Sequence, residues 1–169
     1  MCKHFIKRNF MGMKLLFKQR FFSWLDSYDI YDEAGNTVYT VQGRLAWGHK
    51  LEVCDATGAP IGMVREEILT FLPRFTFYLN GQFIGQVKKE FTLFKPVFTL
   101  NYQGWRVEGD WLGWDYSVND TYGNHVFQLS KQLFNFTDTY VIDVPDERNA
   151  LLALMITLAI DAAKCSENG

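Results

Sequence analysis

The sequence predicts a mainly β (α+β) domain: a closed antiparallel barrel of about twelve strands enclosing a hydrophobic C-terminal helix. Three observations predict it. Gly35, Gly58, Gly81 and Gly104 recur every 23 residues. The stretches between them are β-branched and aromatic, as strands require. And ALLALMITLAI, Ala150 to Ile160, is apolar on every side but short.

The glycine spacing marks hairpins. YDIYDEAGNTVYTV (Tyr28–Val41) and LEVCDATGAPIGMV (Leu51–Val64) each place Asp-x-x-Gly between two alternating apolar runs. Asp starts turns because its carboxylate accepts from nearby backbone N–H groups, and Gly takes positive φ without steric cost. A fifth turn follows at Asp120–Gly123, and FTFYL (Phe75–Leu79), FTLNY (Phe98–Tyr102) and TYVIDV (Thr139–Val144) read as strands. One 23-residue repeat holds two strands and two connections, so residues 13–147 supply about six hairpins. Propeller blades need about four strands per repeat, more than this period can hold. With 169 residues, 48% hydrophobic and 17% aromatic, one domain with a sizeable core is expected. Residues 1–12, MCKHFIKRNFMG, read as a poorly ordered basic leader or an alternative start ahead of Met13.

The C-terminal apolar run covers only ~16 Å as a helix, against a hydrocarbon core of ~30 Å. Charges at Asp146, Glu147, Arg148, Asp161 and Lys164 bound it. Leu151, Leu152, Leu154, Met155, Ile156, Leu158 and Ile160 point to all sides, so protein must enclose the helix. A twelve-stranded barrel has a bore that its own side chains do not fill, and a helix is ~10–12 Å across. The helix is therefore the plug. Burial of seven large side chains contributes on the order of 10–20 kcal/mol before entropy.

With the elements placed, the sequence resembles a bacterial member of the LURP-one-related family, grouped with tubby C-terminal-domain-like and phospholipid-scramblase-like proteins. The matching stretches are KQRFFSW (Lys18–Trp24), DIYDEAGN (Asp29–Asn36), VQG (Val41–Gly43), VKKEFTLF (Val87–Phe94), WRVEGDW (Trp105–Trp111), LSK (Leu129–Lys131) and DTYVIDV (Asp138–Val144). The resemblance covers the chain from Met13 onward and implies a closed twelve-stranded barrel around a C-terminal helix. Tubby domains bind phosphoinositide headgroups and scramblases move lipids between leaflets, so the resemblance also points toward lipid. The tubby basic motif and the scramblase cysteine cluster do not occur here.

Few residues read as chemistry. His4, His49 and His125 have no nucleophile paired with them, and no HExxH, CxxC pair, P-loop or GxSxG occurs. Asp29, Asp32, Glu33 and Asn36 lack the EF-hand spacing, and a turn explains them. No catalytic residue, metal or cofactor is expected. Cys2, Cys54 and Cys165 fit a reduced, cytoplasmic compartment. The net charge of −2 argues against nucleic acid, but the charge is uneven: residues 74–106 hold five basic and one acidic residue, and residues 26–73 hold three and eight. Such blocks make faces unless folding interleaves them. Lys88, Lys89, Lys95 and Arg106 form the candidate basic patch. Adjacent lysines on a strand point to opposite faces, so one of Lys88 and Lys89 should sit near a strand end or bulge to avoid burial. The aromatics Phe21–Trp24 and Trp111–Trp114 read as barrel packing ahead of membrane wedges.

The expected function is a non-enzymatic soluble binding domain. Its partner is an anionic membrane surface, a phosphoinositide-like headgroup or a protein, with cytoplasmic or peripheral membrane location. The alternative is a scramblase-like protein that inserts its apolar tail into lipid. The enclosed helix makes a direct prediction: Leu154→Asp abolishes soluble folding, read as loss of a cooperative melt by circular dichroism.

Overall fold

The chain was analysed as a computed structural model, which describes residues 11–18, 27–46, 48–91, 96–134 and 137–165. Twelve strands are described: β1 (Met13–Lys18), β2 (Ser27–Tyr31), β3 (Thr37–Ala46), β4 (Gly48–Asp55), β5 (Pro60–Glu66), β6 (Arg74–Leu79), β7 (Gln82–Phe91), β8 (Pro96–Asn101), β9 (Arg106–Asp110), β10 (Asp115–Asn119), β11 (His125–Phe134) and β12 (Thr137–Val144). A 3-10 turn at Glu147–Asn149 leads into α1 (Ala150–Cys165). Neighbours in sequence pair antiparallel from β1 to β8 and from β9 to β12, and β12 pairs back onto β1. The result is a nearly closed antiparallel barrel around one helix.

Two joints in the wall show little or no ladder pairing among the described residues. There β1 meets β2 at the pair Leu16↔Tyr31. β8 and β9 carry no ladder pair among the described residues, although they lie in contact. Aromatic pairs pin this second seam at both ends. Phe98 meets Trp111 edge-on at 4.5 Å, and Tyr102 meets Trp105 at 4.9 Å. Side-chain packing thus holds what backbone hydrogen bonds hold elsewhere.

The inner face of each strand supplies the core, as the two-residue alternation requires. Leu15, Ile30, Val41, Leu51, Val53, Val64, Phe75, Phe77, Val87, Phe127, Leu129 and Ile142 are all fully buried. The helix fills the bore and extends five residues past the predicted end at Ile160. Every residue from Leu152 to Ile160 is buried. It lies closest to β5, where Gly62 makes the approach possible: a Cβ there would stand 2.9 Å from Met155 Sδ. Polar groups inside are few. The Thr157 hydroxyl donates to the Ala153 carbonyl at 2.9 Å. Burial pushes the phenols of Tyr28 and Tyr116 well above their ordinary value, and Asp161 acts in the same direction.

Strand direction sorts the connections into two ends. All five glycine turns lie at one end, where the helix enters the barrel. Three of them share one construction. Asp32, Asp55 and Asp120 each accept a hydrogen bond from the backbone N–H four residues on, at 2.8, 3.0 and 2.8 Å. Each also closes with a backbone bond from the Asp N–H to the carbonyl of that fourth residue. The glycines at 35, 58 and 123 hold positive φ. The turns at Asn80-Gly81 and Gln103-Gly104 are tighter, with both residues at positive φ, the two-residue hairpin geometry. Asp29, weighed above with Asp32 as a calcium ligand, instead accepts from the Thr40 hydroxyl across the hairpin at 2.8 Å.

At the opposite end the helix finishes on the Trp111–Trp114 turn. Lys164 Nζ donates to the Trp111 and Leu112 carbonyl oxygens at 3.0 and 2.9 Å and stands 3.6 Å from the Trp114 ring centre. Trp114 in turn packs on Tyr140 at 4.8 Å. These tryptophans are packing, as the sequence reading expected. Phe21–Trp24 lies outside the described residues.

The turn carboxylates yield a pH prediction. Hydrogen bonds from Asn36, Thr57 and Asn124 hold Asp32, Asp55 and Asp120 below the ordinary value of 3.8. Their contribution is therefore present above that value and lost as pH falls through the lower folded values. A D32A/D55A/D120A variant should melt at a lower temperature near neutral pH. It should also lose less further stability than the wild type between about pH 5 and pH 2, followed by circular dichroism.

Candidate basic belt on the outer wall

On the outer face of β1, Lys14 meets Glu33 at 3.2 Å. Over β3 to β7 cations face one another instead. The outward residues of β3, β4 and β5 bring Arg44 opposite Lys50, and Lys50 opposite Arg65. One step toward the end that receives the helix C-terminus, Arg74 on β6 stands opposite Lys88 on β7. Lys88 in turn faces Thr99 on β8. Five cations thus form two staggered rows across β3 to β7.

The faces follow from alternation. Val64, Phe75, Phe77 and Val87 are in the core, so Arg65, Arg74 and Lys88 project outward. Directly opposed residues have Cβ atoms about 4.5–5.5 Å apart, and like charges so placed cost stability. Glu52 is the carboxylate serving the lower row. It lies 3.0 Å from Arg44 Nη2 and 3.7 Å from Lys50 Nζ. Arg65, Arg74 and Lys88 make no ion pair among the described residues, and the buried Nε of Arg74 finds no hydrogen-bond partner. Neighbouring carboxylates are engaged elsewhere: Glu67 accepts from the Thr76 hydroxyl at 3.0 Å, and Glu66 bonds the His49 ring and backbone N–H. Glu90 lies exposed two residues beyond Lys88.

The patch read from sequence divides in this geometry. Lys88 belongs to the belt. Lys89 points to the inner face and is only 4% exposed, and burial pushes its ammonium below the ordinary lysine value. It sits near the end of β7, where its backbone N–H donates to the Pro73 carbonyl at 3.0 Å. Arg106 opens β9 at the glycine-turn end, opposite Asn119, away from Lys88. Lys95 lies outside the described residues.

Arg44, Lys50, Arg65 and Arg74 were not singled out in sequence. Three of them come from the block counted as acidic, residues 26–73. Three of that block's eight carboxylates, Asp32, Glu33 and Asp55, go to the glycine-turn end, while its cations line up on the wall. The signal was the strand register, which composition does not carry. The His49 ring is held by Glu66. An open hollow of about 250 Å³ at the β1–β2 joint is lined by Leu16, Phe17, Tyr31, Asp32, Glu33, Gly35 and Thr139, and no cation lines it.

The barrel is shared with known proteins. Its fold is similar to the X-ray structure of a protein from Arabidopsis thaliana, with a TM-score of 0.63 and 19% identity, covering 90% of this chain and 91% of that one. In sequence the chain is 26% identical over 151 residues to the uncharacterised protein YxjI of Bacillus subtilis strain 168, covering 88% of this chain and 92% of that protein. The LURP-one-related family profile matches residues 13–161, from the first residue of β1 to the helix position where Asp161 ends the apolar run. A match over the whole barrel and its plug settles the assignment: this chain belongs to the LURP-one-related family.

Proposed function

We propose that this domain is a non-enzymatic binding module, cytoplasmic or peripheral to a membrane, that holds a multiply anionic ligand against the outer wall of β3 to β7. The observation that carries the reading is the belt itself. Opposed like charges weaken a sheet by about 0.2–1 kcal/mol per pair, so their alignment over five strands has a use outside folding. Each cation near an anionic surface contributes about 1 kcal/mol, reduced by Glu52 and by salt. A phosphorylated headgroup suits the paired geometry, because Arg offers a planar fork of donors and Lys a mobile point charge.

The reading with the tail in lipid has the packing against it. The helix is enclosed by the wall, and no helix among the described residues is long and apolar enough to cross a membrane.

The test is calorimetric titration with inositol hexakisphosphate as a soluble polyanion. Arg74→Ala with Lys88→Ala should weaken binding by roughly ten- to thirtyfold, two cations at about 1 kcal/mol each. Glu52→Gln should strengthen it, because Arg44 and Lys50 are released. Lys88→Glu should weaken binding while raising stability by about 0.2–1 kcal/mol, since it turns an opposed like-charge pair into an ion pair. Unchanged affinity in the double-alanine variant would refute the proposal.

A further inference from the structure

The connection between β5 and β6 carries a second unusual feature. Leu69 is 100% exposed and Phe71 is 98% exposed. Ile68 beside them is also exposed. Leu69 holds φ +67°, a left-handed conformation that bulky L-residues rarely adopt. Backbone strain of this kind gathers at functional surfaces. The loop is not loosely tethered. The Glu67 N–H donates to the Arg74 carbonyl at 2.9 Å, and the Thr70 hydroxyl donates to the Glu67 carbonyl at 3.0 Å. Glu66 and Glu67 tie its base to His49 and Thr76. A clamped base thus presents a convex apolar tip.

The tip and the belt are continuous. Arg74 follows the loop directly, opposite Lys88. Thr76, level with Arg65, is two residues further down β6, or about 7 Å at ordinary strand rise. A polar headgroup layer is about 5–7 Å thick on each side of a bilayer. With Leu69 and Phe71 in the acyl boundary, Arg74 and Lys88 stand at headgroup depth and the Arg44–Lys50–Arg65 row faces the surface above. Leu112, also exposed, lies at this same end of the barrel in the β9–β10 connection.

We infer that the domain docks end-on to an anionic lipid bilayer, inserting Leu69 and Phe71 while the belt neutralises the headgroups. This rests on the polyanion reading for its charge and adds the apolar anchor. A convex tip suits fluid hydrocarbon, which needs no preformed cavity, whereas a protein partner would need a matching groove.

The experiment is co-sedimentation with vesicles of phosphatidylcholine alone or with about a third phosphatidylserine, beside titration with inositol hexakisphosphate. Wild type should pellet with the anionic vesicles only. Leu69→Asn with Phe71→Ser should lower vesicle binding about tenfold or more yet keep inositol hexakisphosphate affinity and a cooperative melt. Arg74→Ala with Lys88→Ala should lose both. Undiminished vesicle binding by the tip variant would overturn the inference. So would wild type that binds the soluble polyanion but ignores anionic vesicles, a result that leaves the polyanion reading standing. Loss of both bindings in the wild type would remove that reading as well. Concentration-dependent dimerisation that the tip variant abolishes, without vesicle binding, would also overturn it by assigning the tip to a second copy.

Discussion

The structure depends on mutual enclosure. A helix apolar on all sides cannot face water, and a wall of twelve strands cannot fill its own bore. Each defect is the other's remedy. The packing of α1 through Leu152–Ile160 against the inner face makes one core of two elements that would not be stable apart. Gly62 shows how close the fit is, since a single Cβ there would meet Met155.

That constraint explains the seam between β8 and β9, which carries no ladder pair among the described residues. Where β8 and β9 do not pair, Phe98, Trp111, Tyr102 and Trp105 bridge the gap, and Lys164 binds the Trp111–Trp114 turn to the end of the helix. A filled interior lets side-chain contact substitute for part of the hydrogen-bonded wall. The outer face over β3 to β7 is then not needed for the core. It can carry opposed cations whose repulsion the core tolerates.

The two ends of the barrel differ in kind. The glycine-turn end is built for economy, with short turns in which carboxylates are spent on backbone N–H groups. The other end carries a clamped apolar tip beside Arg74 and Lys88, which make no ion pair among the described residues. Both ends expose large apolar side chains, Phe83 and Tyr122 at the glycine turns and Leu69 and Phe71 at the other end, but only at the second do they stand beside the cation rows.

The sequence by itself determined the hairpin count, the turns and the plug. These are local properties: Asp-x-x-Gly closes a turn with its own atoms, and ten apolar residues in the eleven from Ala150 to Ile160 leave a helix no wet side. It also anticipated that Lys88 and Lys89 would point to opposite faces, because the strand period is two, but not that the inward one would stay buried: a place near the end of β7 does not bring Lys89 back to solvent. Only the tertiary structure decided which cations meet. Arg44, Lys50, Arg65, Arg74 and Lys88 are far apart in the chain and drawn from blocks of opposite net charge. Hydrogen-bond register between strands aligns them, and register is set by the pairing of whole strands around the helix. The same pairing separated Arg106 from Lys88, because a residue at the start of one strand and a residue near the end of another can be close in sequence and at different heights on the wall.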